Sequence, residues 1–413
     1  MPVETVSAPV VAIHPTAQPP AAAAPPKPAR LMSLDAYRGL IMLFMASAGL
    51  GFRQIAQNFP DSSIWKFLGF HTEHAPWIGG GAWDMIQPAF MFMVGVALPF
   101  SVARRTADGQ PFGKQFFHVI WRSLVLVALA VFLASGSKKQ PNFIFTNVLG
   151  QIGLGYTFLF LLAGRGWKVQ LGALAAIAVG YWAAFALYPA PGADLDLKKF
   201  GISADAAKDV ILPGFFAHWS MNVNFAAAFD RWFLNLFPTE KEFVFSNGGY
   251  QTLNFVPSLI TMILGLMAGD ALRSDRTQRE KALWLVKVGA VCLALGLLAG
   301  WTVCPIIKRI WTPSWALDSG GIVLWLLAAF YWLIDIRGWR AWSWPLVVVG
   351  MNSIAIYLMY QLLSGWIAST LRTYIGQDIF KGTYGSFWQR GSVLVVLWLA
   401  CLWLYRRKIF LRI

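Results

Sequence analysis

Long apolar runs dominate this sequence and limit what it can fold into. From Leu31 onward, mostly apolar stretches alternate with short polar segments. Runs of about 20 apolar residues match one helical crossing of a bilayer, and a helix satisfies its own backbone polar groups, as lipid requires. Charged residues make up only 13% of the chain, about half of the ~25% usual in soluble domains. They are too few to cover a water-facing surface, which argues against a soluble protein.

The runs predict an all-α membrane protein. We expect a polytopic bundle of about ten transmembrane helices with both termini in the cytoplasm. The ten candidate spans are roughly residues 33–53, 83–103, 118–136, 144–163, 168–188, 251–272, 283–303, 315–334, 345–366 and 389–406.

The basic residues predict how the bundle is oriented. With the N-terminus inside, 20 of the 34 Lys and Arg residues but only seven of the 19 acids fall on the cytoplasmic side. Nearly all of the net charge of +15 then faces the cytoplasm, as the positive-inside rule requires. No nucleic-acid partner is needed to explain the charge. Two outer pairs run against the trend, Lys138–Lys139 and Lys308–Arg309.

The chain divides into a tail and a membrane domain. Residues 1–30 hold eight of the 22 Pro residues, which predicts a disordered, Pro/Ala-rich cytoplasmic tail. Residues 31–413 form the transmembrane domain, with outer loops at about 54–82 and 189–250 that are too long for simple connectors. The three Cys residues fit no metal or disulfide spacing, so we expect no metal.

The outer loop before the second span concentrates polar residues, including His71, His74 and Asp84. Imidazole can act as a general base, a general acid or an acyl acceptor. A carboxylate at the start of an apolar helix is either an N-cap or a functional group. The two His residues could equally be interface residues without a role. A metal site is disfavoured, because the spacing from His71 to His74 is one residue short of the inverted zinc-protease motif.

Two further polar groups lie in the spans. Asp35 and Arg38 are three residues apart on one helix face, which suits either a structural ion pair or an anion site. Asn352 and Ser353 lie within the predicted span 345–366. Polar side chains at this depth either bond to other helices or line a cavity.

Six short motifs occur in order between about residues 30 and 360. They are Arg30-Leu-x-Ser33-Leu-Asp35-x-x-Arg38-Gly39, His74-x-x-Trp77-x-Gly79-x-x-x-x-Asp84, Pro88-x-Phe90-Met-Phe92-x-Val94-Gly95, Gly265-Leu266-x-Ala268-Gly269, Trp311-Thr312 and Gly350-Met351-Asn352-Ser353. Together they resemble the transmembrane acyltransferases related to heparan-α-glucosaminide N-acetyltransferase. In that family an Asn commonly lies near the outer end of the first span, where this chain has Gly49.

The resemblance implies an acetyltransferase. Such an enzyme would move an acetyl group from cytoplasmic acetyl-CoA to an amino sugar, typically a terminal glucosamine, or to another glycan acceptor at the outer face. It implies His74 as the catalytic base or acetyl carrier, and a homodimer embedded in membrane lipid. Asp84 would orient the His74 imidazole, as the acid of a catalytic triad does. We expect the protein in a bacterial inner membrane.

The expected binding sites lie at opposite faces. Because the phosphates of coenzyme A require cations, we expect the donor site on the inner side, at Asp35, Arg38, Arg104, Arg105, Arg273, Asn352 and Ser353. We expect the acceptor site on the outer side, at Trp77, Gly79, Gln87, Asp230, Arg231 and Trp232. The N–H groups of residues 79–81, or Asn352, are expected to stabilise the thioester oxyanion.

Two other functions remain open. A glycoconjugate transporter or flippase would pair polar residues at the midplane of two pseudo-symmetric halves, whereas the polar cluster here lies at the outer rim. A catalytically inactive scaffold of the same fold is motivated by Gly49.

Overall fold

The computed structural model describes residues 31–136, 138–192 and 194–411, so the predicted tail at 1–30 lies outside the described residues. Within these ranges the chain is helical and forms no β-strand, as the sequence predicts. The α-helices are α1 (Met32–Ala46), α2 (Phe52–Asn58), α3 (Ser63–His71), α4 (Ile86–Ala107), α5 (Phe112–Ser135), α6 (Val148–Leu162), α7 (Trp167–Ala186), α8 (Ala204–Val210), α9 (Phe225–Phe233), α10 (Phe255–Arg273), α11 (Gln278–Thr302), α12 (Pro313–Phe330), α13 (Trp344–Gly350), α14 (Ser353–Ile375) and α15 (Gly385–Arg406).

Membrane crossing is supported by length and hydropathy. Among the described residues, eight helices are long and apolar enough to span a bilayer. A ninth span would combine α1 with the segment Ala48–Asn58, across a bend of 41°. Helix α6 has 15 residues, fewer than the ~20 that a span takes. The protein is therefore a polytopic helical membrane protein, and the predicted ten spans are reached only if the bent pair and α6 both cross.

The bundle has two ends with different contents. Helices α2, α3, α8 and α9 lie at one end, termed here the loop end. At the other, the terminal end, α1 begins and α15 stops. The Asp335 carboxylate, at the end of the α12 span, accepts hydrogen bonds from the N–H groups of Met32 (3.2 Å) and Ser33 (3.3 Å). Asn352 donates to the Ile409 carbonyl and accepts from the Leu411 N–H, both at 3.1 Å.

The first predicted span, 33–53, is not one straight helix. Four consecutive residues, 48–51, have left-handed backbone conformations, with φ between 48° and 70°. Such conformations cost a non-glycine residue about 1–2 kcal/mol each. They turn the chain into α2 and bring Gly49 against Thr72, where a Cβ on Gly49 would lie 2.8 Å from the Thr72 Cβ. A larger side chain therefore does not fit at this position.

The predicted span 345–366 is also wrong in its bounds. The chain breaks at Met351 and Asn352 into the short α13 and the long α14. Just before the break, α13 packs closely against α1, because a Cβ on Gly350 would overlap the Asp35 carbonyl. Helix α13 thus lies directly on α1, and a separate helix, α14, crosses the bundle.

Helices α4 and α10 pack backbone to backbone at the centre. A Cβ on Gly95 would overlap the Met262 carbonyl, and a Cβ on Gly265 would overlap the Phe92 carbonyl. Gly269 meets the Val96 carbonyl in the same way. Since α4 begins just after Asp84 and α10 begins just after Tyr250, this glycine contact fixes the two helix starts relative to each other.

The predicted outer loop 189–250 folds into a cap over the loop end. Its core contains the fully buried Trp219, stacked on Phe185 of α7. The indole N–H of Trp77 donates to the Trp219 carbonyl oxygen at 3.1 Å. Trp77 lies three residues after His74, so the cap holds the His74 loop in place.

Candidate active site

His74 and Asp84 form the centre of the candidate site, at the loop end. His74 follows α3, and Asp84 lies in the short 3-10 turn Ala82–Met85 that leads into α4. His74 Nδ1 and Asp84 Oδ1 are 2.7 Å apart. The His74 side chain is 41% exposed and that of Asp84 is 1% exposed. The carboxylate is therefore enclosed, and the imidazole keeps Nε2 for a ligand.

Backbone donors orient the Asp84 carboxylate. Its Oδ2 accepts from the N–H groups of Ala75 (3.1 Å) and Gly81 (3.0 Å). The loop can wrap this tightly because Gly80 has no side chain: a Cβ there would lie 2.7 Å from the Trp315 ring. A buried carboxylate needs such partners to offset the loss of water.

Lys308 is a third member of the cluster, and the sequence did not predict it there. Its Nζ lies 3.0 Å from Asp84 Oδ1 and 2.9 Å from His74 Nδ1. It also lies 3.4 Å from the Tyr250 hydroxyl. With 6% of its side chain exposed, Lys308 is a buried cation paired with a buried carboxylate.

The segment before α12 holds Lys308 in this position. Gly79 donates to the Ile306 carbonyl at 2.8 Å, which joins the segment to the His74 loop. The Ile307 N–H donates to Thr312 Oγ1 at 3.0 Å. Trp311 has φ of 48°, a left-handed conformation that a tight turn imposes on a non-glycine residue. The turn points Lys308 back toward Asp84.

Arg309 joins the chain segments around the site. Its Nε and one Nη donate to the Ala75 carbonyl at 3.2 and 3.1 Å, and its other Nη donates to the Gly248 carbonyl at 2.7 Å. The Arg309 carbonyl accepts from Asn254 at 2.8 Å. The guanidinium also lies over the Tyr250 ring. Arg309 is thus a structural clamp beside the reactive groups.

One sequence signal could have found this pair of cations. Lys308 and Arg309 lie in a short segment on the predicted outer side, against the positive-inside trend. Ionisable residues at such positions are rare and usually paired or functional. Their partners in the His74 loop, His74 and Ala75, come from more than 200 residues away. The sequence alone therefore singles out these two cations but does not identify their partners.

Comparison with known proteins places this geometry in context. No family model matches the chain. It is 22% identical over 433 residues to heparan-alpha-glucosaminide N-acetyltransferase of Homo sapiens, covering 94% of this chain and 60% of that protein. The protein of the same name from Mus musculus is 22% identical over 429 residues, covering 93% and 60%. The chain is a distant relative of heparan-alpha-glucosaminide N-acetyltransferase. It spans about 60% of the length of these curated relatives.

The predicted acceptor residues around the His74 loop differ in their surroundings. Trp77 is buried and its indole N–H is engaged, so it supports the loop. Gly79 donates to Ile306, and Gly81 donates to Asp84. These two N–H groups of the predicted oxyanion site are therefore already used within the protein. Gln87 lies half-buried in the first turn of α4, three residues after Asp84.

The predicted acceptor residues of the cap are Asp230, Arg231 and Trp232. Asp230 is buried and accepts from the Thr252 N–H at 2.9 Å, and burial raises its pKa to about 6. Arg231 donates to the Asn222 carbonyl at 2.8 Å. Both side chains therefore hold the cap together, whereas Trp232 is exposed.

Several buried polar atoms near the site have no hydrogen-bond partner among the described residues. They include both amide atoms of Gln251 and the indole N–H groups of Trp311 and Trp315. Gln251 adjoins Tyr250, and the Trp315 ring meets Gly80. An unsatisfied buried polar atom costs about 1–3 kcal/mol, so these groups are suited to bind a polar ligand.

The predicted donor residues are all at the terminal end, in two groups. Arg104 and Arg105 lie in the last turn of α4 and Arg273 ends α10. A cavity of about 440 Å³ lies between these helices and the end of α6, lined by Arg273 and Asp270 among mostly apolar residues. This volume is within the usual range for small-molecule sites.

The second group surrounds the start of α1. Arg38 lies 3.6 Å from Asp35. The Asn352 amide is engaged on both sides by the chain after α15, and Ser353 begins α14 beside it. Asn352 is at the end opposite His74, and its role at the oxyanion stays a prediction.

Proposed function

We propose that this protein is a transmembrane acetyltransferase that transfers an acetyl group from acetyl-CoA to an amino sugar or another glycan acceptor at the loop end. The observation that carries the proposal is the half-exposed His74 imidazole backed by the buried pair of Asp84 and Lys308. The reaction type is supported by the distant relatives, which are named heparan-alpha-glucosaminide N-acetyltransferase.

The chemistry follows from the free ring nitrogen. The acceptor nitrogen or oxygen attacks the thioester carbonyl carbon, and the carbon–sulfur bond breaks. His74 Nε2 takes the proton that the acceptor loses and returns a proton to the coenzyme A sulfur. Asp84 holds the ring and stabilises the imidazolium. Alternatively, Nε2 takes the acetyl group first and passes it to the acceptor.

The cavity at the terminal end supports a donor site. Arg273 offers a cation at its rim, and its apolar lining suits an adenine ring. We place the nucleotide of acetyl-CoA there, in the cytoplasm-facing half of the bundle. The loop end then faces outward. The homodimer and the bacterial inner membrane stay predictions.

The length of the donor decides which arginine can hold its diphosphate. From Asp84 to Arg105 the chain is helical, which at 1.5 Å per residue places Arg105 ~31 Å away. The arm between the diphosphate and the sulfur has about 13 bonds, or ~15 Å at the reach of an extended backbone. A diphosphate bound at Arg105 would leave the thioester far from His74.

Arg122 of α5 is better placed for the diphosphate. It lines a small cavity with both Arg105 and Leu98, and Leu98 is seven residues closer to Asp84 along α4 than Arg105. Its guanidinium donates to the Tyr156 hydroxyl at 3.1 Å, and its buried Nε has no partner among the described residues. We therefore place the diphosphate near Arg122.

Acetyl transfer by the purified protein tests the proposal. The protein is reconstituted in nanodiscs with radiolabelled acetyl-CoA and glucosamine, and labelled N-acetylglucosamine is measured. His74→Ala is expected to lose about 100-fold or more of the rate. His71→Ala is the matched control: His71 ends α3, three residues before His74, and among the described residues it accepts a hydrogen bond only from the Ala82 N–H, so the rate of this variant should stay within about twofold. Failure of the wild type to acetylate amino and hydroxyl glycans alike would contradict the proposal.

A further inference from the structure

The cavity at the terminal end contains two charged side chains that do not pair with each other. Of its nine lining residues, only Asp270 and Arg273 carry a charge. They are three residues apart on α10, a spacing at which a carboxylate and a guanidinium readily pair. Arg273 instead lies over the Phe100 ring at 5.9 Å, and within the described part of the chain Asp270 forms no ion pair. Both charges are therefore available to a ligand.

Gln170 of α7 holds one oxygen of the Asp270 carboxylate. Gln170 is buried, with 1% exposed, and its amide nitrogen donates to Asp270 Oδ2 at 2.9 Å and to the Leu162 carbonyl at 3.4 Å. The opposite orientation of the amide would place its oxygen against two acceptors, so these contacts fix the orientation. Asp270 is half-buried and lines the cavity. Its Oδ1 has no partner among the described residues, which leaves this oxygen for a hydrogen-bond donor.

Two cavities meet at Val102, and their charges differ. Val102 lines both the cavity with Asp270 and the smaller cavity with Arg122. The described residues around the smaller cavity include Arg105 and Arg122 but no acid. A diphosphate is attracted by guanidinium groups and repelled by a carboxylate. The cavity with Asp270 therefore suits the uncharged base of a nucleotide whose diphosphate lies in the smaller cavity.

The base that fits beside Asp270 has an N–H group at its edge. The mostly apolar lining of the cavity suits the faces of an aromatic ring, and the carboxylate Oδ1 is an acceptor without a hydrogen. Adenine has an exocyclic amine at one edge, whereas a carbonyl oxygen at that position would set a lone pair against the carboxylate. Adenine is also the base of acetyl-CoA, the donor in the proposed function.

We propose that Asp270 determines the base specificity of the donor site by accepting a hydrogen bond from the exocyclic amine of adenine, and that Gln170 is its positioning residue. The proposal rests on the proposed use of acetyl-CoA as the donor. Asp270 lies near the end of α10 and does not touch the reacting thioester, which the proposed function places at the loop end. Its substitution should therefore change donor affinity and leave kcat at saturating donor unchanged.

Asp270→Asn is the sharpest test, because an amide has one acceptor and one donor group. Gln170 donates to the oxygen of the carboxylate, so the amide oxygen should take the place of Oδ2 and the amide NH2 group the place of Oδ1. The NH2 group then meets the adenine amine, donor against donor. Asp275→Asn is the matched control, since Asp275 is exposed at the same end and does not line the cavity.

The first readout is binding, which requires no acetyl transfer. Isothermal titration of the protein in nanodiscs compares CoA with its purine analogue, in which a hydrogen replaces the exocyclic amine. The wild type and Asp275→Asn should bind CoA about tenfold more tightly than the analogue, since the bond is to a charged group. Asp270→Asn should bind the analogue more tightly than CoA. Combining Asp270→Asn with Gln170→Met frees the amide to rotate and should abolish this reversal.

Two binding results would overturn the proposal. Equal affinity of the wild type for CoA and the purine analogue excludes the hydrogen bond, even if the variants fail to fold. A preference for CoA that persists in Asp270→Asn assigns the amine to another residue.

The second readout is acetyl transfer to glucosamine from acetyl-CoA and from its purine analogue. If the wild type transfers no acetyl group but binds CoA more tightly than the analogue, the proposed function fails and the role of Asp270 stands. If both donors are used with the same KM, the proposed function stands and the role of Asp270 is refuted. If the wild type does not bind CoA at all, both are refuted.

Discussion

Arg309 donates two hydrogen bonds to the Ala75 carbonyl oxygen, 234 residues away in sequence. Ala75 directly follows His74, and its N–H donates to Asp84. One guanidinium from the segment before α12 thus fixes the backbone that carries the imidazole.

Replacing this clamp should cost both stability and rate. Arg309→Gln loses the paired contact with Ala75 and the bond to Gly248, and bonds to charged groups contribute about 1.5–3 kcal/mol each. We expect a lower thermal midpoint in detergent and a reduced kcat. Arg372→Gln, which removes an exposed bond to Gln389 at the same end, should change neither. An unchanged midpoint in Arg309→Gln would contradict the clamp.

Asp84→Asn tests the buried carboxylate. The amide keeps the size of the side chain, but it leaves the Lys308 ammonium buried without its counterion, at about 3–5 kcal/mol. We expect strong destabilisation and a loss of kcat of about 10⁴-fold, as for the triad acid. The double variant Asp84→Asn with Lys308→Met should regain stability and stay inactive. Thermal unfolding measures the loss of stability, and the acetyl transfer assay measures the loss of kcat. An active Asp84→Asn protein would refute the proposed role of the carboxylate in orienting His74.

Asp230 predicts a pH dependence of stability. Burial raises its pKa from 3.8 to about 6 in the folded state, so the folded protein binds this proton more tightly than the unfolded chain does. The free energy of unfolding should therefore decrease as pH rises from about 4 to 6, by on the order of 3 kcal/mol. Asp230→Asn should lack this decrease. The test is to measure the thermal midpoints of the wild type and of Asp230→Asn between pH 4 and 7. If the two midpoints change with pH in the same way, the raised pKa of Asp230 is contradicted.

The glycine contact between α4 and α10 should not tolerate a methyl group. Gly265→Ala would overlap the Phe92 carbonyl and separate the two helices, which displaces Asp84 relative to Tyr250. We expect poor expression of folded protein and a lower thermal midpoint. Gly172→Ala in α7 meets nothing within 4 Å and should be stabilised by up to about 1 kcal/mol. Equal behaviour of the two variants would contradict backbone contact.

Arg122 and Arg273 are expected to act on donor binding. Arg122→Gln and Arg273→Gln should each raise the KM for acetyl-CoA about tenfold, since one charged bond is worth about 1.5 kcal/mol or more. Arg337→Gln, exposed at the same end, is the control. The KM for the acceptor should stay constant in all three variants. If only the acceptor KM changes, acetyl-CoA does not bind at Arg122 and Arg273.

The sequence predicts the fold class because apolar runs and basic segments are local signals. His74 and Asp84 could be paired from the sequence because they are ten residues apart, and the structure brings their side chains together; their catalytic role stays a prediction. Lys308 could not be paired, since its contact with Asp84 depends on how α4, α10 and α12 pack. The break at Asn352 was missed because the apolar run continues through it, and the left-handed turn at 48–51 carries no signature at Ala48 or Leu50.

The site draws its atoms from chain segments that leave the ribosome at very different times. His74 and Asp84 are made early, Tyr250 follows the cap, and Lys308 arrives with the segment before α12. Until the segment with Lys308 has been synthesised, the Asp84 carboxylate lacks this cationic partner. An unpaired carboxylate is costly to bury, so the start of α4 should remain in contact with water. Membrane insertion of the early helices and completion of the reactive centre are therefore separate events in biosynthesis, and a truncated product ending before Lys308 would be a membrane protein without the complete centre.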